Sequence, residues 1–248
     1  MLDSFKRYFS WRSTQRDLDA LSQWAQRHGY GFKRARGDAG FVVDGQVDGR
    51  TWRMEWGPPQ RAYIEGYELR LRMELGVSSD LQMLVLTRAL LESLERQAFE
   101  NYTDQVQTKI DASTPEEMRW LVMFPKVNLG ALGSLKLRFG AVASAPTLGL
   151  AWIEGHLAAA LALAAKAWLP ESAPLVLMTL RGKLYLRTVM PEPNARIAAE
   201  ALKLFLIAAV QALRAAGAAA DGGSDTHSGG TTAWQTIHPE GLHEPPPR

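Results

Sequence analysis

Phe41-Val-Val-Asp-Gly-Gln-Val-Asp-Gly-Arg-Thr-Trp-Arg-Met-Glu-Trp56 is the stretch whose reading decides the fold. From Thr51 the residues alternate: Trp52, Met54 and Trp56 point one way, Thr51, Arg53 and Glu55 the other. That period of two marks a half-buried antiparallel strand. Asp48-Gly49 is a favoured two-residue hairpin turn, so the strand returns on the run that begins at Phe41. After the Gly57-Pro58-Pro59 loop the alternation resumes. Tyr67, Leu69, Leu71, Met73 and Leu75 lie on one face, and Glu68, Arg70, Arg72 and Glu74 on the other.

Working outward, Leu175 to Leu180, Arg181-Gly182 and Leu184 to Val189 read as a second hairpin about a hundred residues on. Each hairpin passage leads into a helix. One is expected to open near Asp80, where Ser79 and Gln82 form a capping-box signature ahead of Leu81, Leu84, Val85, Ala89, Leu91 and Leu94. The other opens at Asn194, with Ile197, Ala201, Leu204 and Ala208 along one side. The fold class is α+β: antiparallel sheet with helices packed mainly on one face, in two related α-ββ-α halves. A single continuous sheet covered on one face by helices produces the same local pattern and is the rival arrangement.

The expected organisation is an amphipathic segment over residues 1–13, a first half over 14–112, a connection over 113–133, a second half over 134–216 and a disordered tail over 217–248. Leu18, Leu21, Trp24, Ala25 and His28 recur at helical spacing until Gly29 and Gly31 stop the first helix. Thr114-Pro115-Glu116-Glu117 supplies N-cap, N1 proline and N3 glutamate for a short helix ending before Pro125. Leu135, Leu137 and Phe139 alternate with Lys136 and Arg138 as a strand. A helix from Leu148 carries Leu150, Ile153, Leu157, Leu161, Ala164 and Trp168 down one stripe. Beyond Gly217 apolar groups are too few to offset an ordering entropy of about 1–2 kcal/mol per residue.

Composition narrows the function classes. The 248 residues are 46% apolar, enough for a sizeable core without a covalent staple. Cysteine is absent, which excludes disulfides, thiolate nucleophiles and Cys-built metal centres and makes a cytoplasmic setting the expectation. The 28 basic and 26 acidic residues are interleaved, unlike the concentrated charge of a nucleic-acid binder. The most apolar late stretches are interrupted by charge, so no transmembrane span is expected. Residues 1–16 set Leu2, Phe5 and Phe9 on one helical face among basic residues, a weak basis for peripheral membrane contact.

Chemistry-bearing motifs are weak throughout. Glu154 and His156, about 200 degrees apart on a helix, do not share a proton or a metal. His227, His238 and His243, with Asp225, Glu240 and Glu244, lie in the tail without preformed geometry. Gly130 to Ser134 lacks the lysine of a phosphate loop. No catalytic, cofactor or metal residue is assigned, and no cofactor is expected.

The leading expectation is a non-enzymatic module that binds another protein or its own copy. Its surface would draw on Trp52, Arg53 and Trp56 of the aromatic hairpin or on Leu150, Leu157, Leu161 and Trp168 of the later helix. Strict alternation equally assigns the tryptophans to the core. Arg53, Glu55, Glu68, Arg70, Arg72 and Glu74 form a charged face that cross-strand ion pairs explain. The alternatives are a small-molecule or lipid carrier, and an enzyme with carboxylates assembled in three dimensions, Glu55, Glu65 and Asp104 being its candidate members.

Overall fold

A computed structural model describes residues 2–35, 40–104 and 114–224, with side chains over 14–35, 40–100 and 114–220. In chain order the elements are α1 (Leu2–Arg27), β1 (Gly31–Arg34), β2 (Phe41–Val47), β3 (Arg50–Gly57), β4 (Glu68–Glu74) and β5 (Met83–Thr87). There follow α2 (Arg88–Asp104), α3 (Glu116–Met123), α4 (Leu135–Arg138), β6 (Phe139–Ala143), α5 (Pro146–Ile153) and α6 (His156–Ala167). The chain closes with β7 (Leu175–Leu180), β8 (Lys183–Val189) and α7 (Ala195–Ser224).

All eight strands join one antiparallel sheet in the order β1-β2-β3-β4-β8-β7-β5-β6. Because β4 pairs with β8 and β5 inserts between β7 and β6, the two hairpin passages interlock. Of the two expected arrangements, the sheet takes the continuous one. Both hairpin turns form as read: Asp48 and Gly49 have φ of 48° and 75°, Arg181 and Gly182 of 51° and 74°.

One face of the sheet is covered by α1, α5, α6 and α7, which bury Leu21, Trp52, Leu71, Trp152, Leu157 and Phe205 in the main core. The other face is covered only over β5, β6 and β7, where α2 and α3 close on Leu84, Leu86, Val142, Val176 and Met178. The strands at that end are therefore buried on both sides and read as unbroken apolar runs, whereas β3, β4 and β8 alternate.

That second layer explains the largest departure from expectation. The segment after Asp80 is not the start of a helix: Ser78 to Gln82 form a turn, Met83–Thr87 is β5, and α2 begins at Arg88. Periodicity alone does not separate a doubly buried strand from a buried helix. Thr179 draws the chain straight, its hydroxyl donating to the Leu81 carbonyl at 2.7 Å and accepting from the Met83 amide at 3.0 Å.

The expected strand at 135–139 is likewise displaced. Residues 135–138 form the short helix α4 and the strand starts at Phe139. Arginines hold this turn: Arg88 donates to the carbonyls of Lys136 and Phe139, and Arg138 to those of Leu169, Pro170 and Glu171. The helix expected from Leu148 is two helices, α5 and α6, separated at Gly155 with φ of 71°. Asn194 caps α7 as read, its Oδ1 accepting from the Ile197 amide.

Residues 2–13 are the first turns of α1, not a separate segment, and the helix ends at Arg27, ahead of Gly29 and Gly31 as expected. Helix α7 passes Gly217 and reaches Ser224, because its alanines favour helix and Ala212 and Ala215 still pack in the core. Residues 225–248, with the tail's histidines and acids, lie outside the described residues. By length and composition α7 would cross a membrane, but half of its most apolar window is buried in the fold.

The hairpin core supplies a sharp steric test. Gly45 on β2 stands directly across from Trp52 on β3, and a β-carbon at position 45 would fall 2.2 Å from the indole. Trp52 is itself buried against Tyr30 and has nowhere to withdraw. Gly45→Ala is expected to destabilise the protein by about 1–3 kcal/mol, read as a lower urea midpoint at unchanged slope. An unaltered midpoint would show that the indole has room to move.

Candidate binding face

Across the face that α2 and α3 only partly cover, side chains form rows perpendicular to the strands. One row runs Asp44, Arg53, Arg72, Tyr185, Met178, Leu84; the next runs Val42, Glu55, Arg70, Arg187, Val176, Leu86. Each row changes from polar to apolar between β8 and β7, where the helices begin. The rest, five strands wide from β1 to β8, is left open and carries four arginines at its centre.

One acid on this face lies deeper than the bases around it. Glu68 is fully buried; its Oε2 accepts from the Gln60 amide at 2.7 Å and from Arg70 Nη1 at 3.3 Å, and its Oε1 from Arg187 Nη1 at 2.6 Å. Glu55 accepts from Arg53 Nε at 2.6 Å and lies 3.5 Å from Arg70. Burial acts to raise the Glu55 carboxyl, but Arg53, Arg70 and Arg72 together outweigh it and hold the group below the usual carboxylate range. Arg53 also approaches Asp44 at 3.6 Å. At the outer end Lys183 and Glu74 pair across β8 and β4 at 2.6 Å. Arg72, exposed and central, makes no hydrogen bond or ion pair among the described residues. Arg53, Arg70, Arg72, Tyr185 and Arg187 share a recess of about 120 Å³.

Where the open face meets α3, a second buried acid ties the layers together. Glu117 Oε1 accepts from Arg61 Nε at 2.9 Å and from the Tyr63 hydroxyl at 2.7 Å. Burial first, and then the Glu117 charge, push the Tyr63 phenol far up, so it stays protonated and donates. Burial of Arg61 acts to lower its ionisation, but Glu117 more than compensates and raises it. Sequence reading assigned Glu117 to a capping role. Instead α3 starts one residue later than expected, with Pro115 at its N-cap, and Glu117 turns inward.

The residues expected to form an interaction surface divide. Trp52, Trp56, Leu157 and Leu161 are buried in the main core and present no surface; for the tryptophans this is the core side that their alternation assigns, and Leu157 and Leu161 are the face of α6 turned to the sheet and α7. Trp56 is further tied by its indole N–H to the Met190 carbonyl at 2.6 Å. Arg53 lies on the open face, Leu150 and Trp168 are half-buried. Trp168 borders a separate groove of about 730 Å³ between α4 and the end of α6, beside exposed Leu137.

The charged set Arg53, Glu55, Glu68, Arg70, Arg72 and Glu74 does share one face, yet Glu68 is sealed and not solvated, and arginine faces arginine twice across the strands. Arg187, Tyr185, Gln60 and Arg61 complete the site and were missed. Their signal was the alternation in Leu184 to Val189, which places Tyr185 and Arg187 opposite the inward leucines. Of the carboxylates considered for catalysis, Glu65 is exposed, Glu55 is ion-paired, and the side chain of Asp104 lies outside the described residues. Glu154 and His156 are exposed on either side of the α5–α6 break, and Gly130 to Ser134 is a turn before α4. Among the described residues no three His, Asp or Glu side chains gather as a metal site.

The chain matches no protein-family model, no curated protein and no solved structure.

Proposed function

We propose that this chain is a non-enzymatic binding module that docks an acidic segment of another protein on the open, arginine-bearing half of its sheet. The observation that carries the reading is the change of character along the rows. Side chains that need a helix to cover them stop at β7, and β8, β4 and β3 then present four guanidiniums, two of them held from beneath by Glu68. Charge arranged in this way selects partners of opposite sign. Pairing with a second copy through the same face would set arginine against arginine, which disfavours the isologous contact of a two-fold dimer.

Two features weigh against the competing readings. The buried acids Glu68 and Glu117 are engaged by Arg70, Arg187 and Arg61, so they serve the fold and are not poised to take or give a proton to a substrate. The recesses that Arg53 and Arg72 border on the open face, of about 120 and 410 Å³, are lined largely by charge, and the groove of about 730 Å³ beside Trp168 is an open trough, unlike the enclosed apolar cavity of a lipid carrier.

The test is selection of random peptides displayed on phage against the full-length protein at low ionic strength. Enriched peptides are expected to be rich in Asp and Glu and to lose binding to the Arg53→Glu/Arg72→Glu variant. Enrichment without acidic bias, or equal binding to the variant, would overturn the reading.

A further inference from the structure

Two pairs of arginines stand directly opposite one another on neighbouring strands of the open face: Arg70 across from Arg187, and Arg53 across from Arg72. Like charges in that relation repel. The first pair is reconciled from within the chain. Glu68, two residues from Arg70 on the same strand and face, places one carboxylate oxygen on each guanidinium.

The second pair has no such bridge. Arg53 turns to Glu55 and Asp44, away from its neighbour, and Glu74, two residues from Arg72 on its other side, is taken by Lys183. Arg72 makes no hydrogen bond or close ion pair among the described residues, its charge reaching Glu55 only at longer range, and it borders the recess of about 120 Å³ that Tyr185 shares.

We infer that a single carboxylate of the bound partner, an Asp or Glu side chain, seats between Arg53 and Arg72 as Glu68 seats between Arg70 and Arg187. This assignment rests on the reading of the open half-sheet as a surface for an acidic segment. The internal pair supplies the template for one carboxylate serving two guanidiniums. Of the four central arginines, Arg53, Arg70 and Arg187 are ion-paired with Asp44, Glu55 and Glu68, and Glu74 pairs with Lys183, which leaves Arg72 unpaired. A monoanion suffices for it; a phosphate dianion or a polynucleotide brings further negative charge against Asp44, Glu55 and Glu74. Tyr185, directly opposite Arg72 on β8, also lines the recess.

The experiment follows the arginine Nε–H resonances of the full-length protein during titration with N-acetylglutamate N-methylamide, its glutamine analogue, and inorganic phosphate, at constant ionic strength. The glutamate derivative is expected to move Arg53 and Arg72 saturably while Arg70 and Arg187, held by Glu68, stay in place. The glutamine analogue leaves all four unmoved, and Arg72→Gln weakens the glutamate derivative about tenfold or more. Uniform drift of all four arginines, absence of saturation, or tighter saturation by phosphate overturns the assignment. Failure here is separable from failure of the broader reading. If acidic peptides from the phage selection bind Arg72→Gln as well as the parent yet lose the double charge reversal, the face stands as a docking surface and the carboxylate seat falls.

Discussion

Glu68→Ala is expected to lower folding stability by about 3–5 kcal/mol, the range seen when one partner of a buried ion pair is removed. Three groups lose an acceptor at once, the Gln60 amide and the guanidiniums of Arg70 and Arg187, and Arg187 loses most, since Arg70 keeps the Pro58 carbonyl at 2.9 Å and Glu55 at 3.5 Å. The last two side chains are only 16% and 13% exposed and sit directly across β4 and β8. Water reaches them poorly, so their repulsion is weakly screened and the desolvation of each is no longer offset. The cost belongs to the under-compensated cations, Arg187 above all, more than to the lost contacts. Glu68→Leu combined with Arg70→Leu and Arg187→Leu should therefore recover most of the loss, since an apolar replacement of a whole buried ionic group is often neutral. Urea denaturation of the single and triple variants decides the matter. Equal destabilisation in both would mean that the site is held by shape and not by charge.

Trp152→Ala should cost a comparable amount, about 3–5 kcal/mol, for a different reason. Trp152 is fully buried in α5, and its indole N–H donates to the Ala208 carbonyl of α7 at 2.9 Å. The surrounding helices are alanine-rich, and alanine side chains are too short to move into the space an indole leaves. A cavity therefore persists between α5 and α7. Trp152→Phe retains most of the volume and loses the hydrogen bond, and is expected to cost about 1–2 kcal/mol. Thermal unfolding of both variants separates the terms, and equal losses would place the whole effect in the hydrogen bond.

These two sites differ in how far they could be read in advance. Trp152 sits in an apolar run read as helix, but the expected buried stripe passed through Leu150 and Ile153 and left it out; packing against α7 buries it. Glu68 was placed on the correct face of its strand by alternation with Leu69 and Leu71, yet nothing local distinguishes it from Glu74, which shares that face and is exposed. The difference is made by Arg187, more than a hundred residues away, and by the loop that brings Gln60 over the carboxylate. Glu117 shows the same limit. Its position after Thr114-Pro115 matches a capping signature, and the partners that draw it inward, Arg61 and Tyr63, belong to the β3–β4 loop.

Local rules act over a few residues, and they sufficed for what depends on a few residues. The hairpin turns at Asp48-Gly49 and Arg181-Gly182, the two faces of β3, β4 and β8, the Asn194 cap and the α+β class are all determined by the chain's own periodicity and turn chemistry. Tertiary structure decided the rest. Met83–Thr87 becomes a strand because β6 and β7 supply backbone partners on both sides, a condition met only when the chain has folded back over distances that no local pattern encodes. The same long-range closure buries Glu68 and leaves Arg72 exposed beside it. A charge's environment is set by which distant elements cover it, and residue order along one strand does not carry that information.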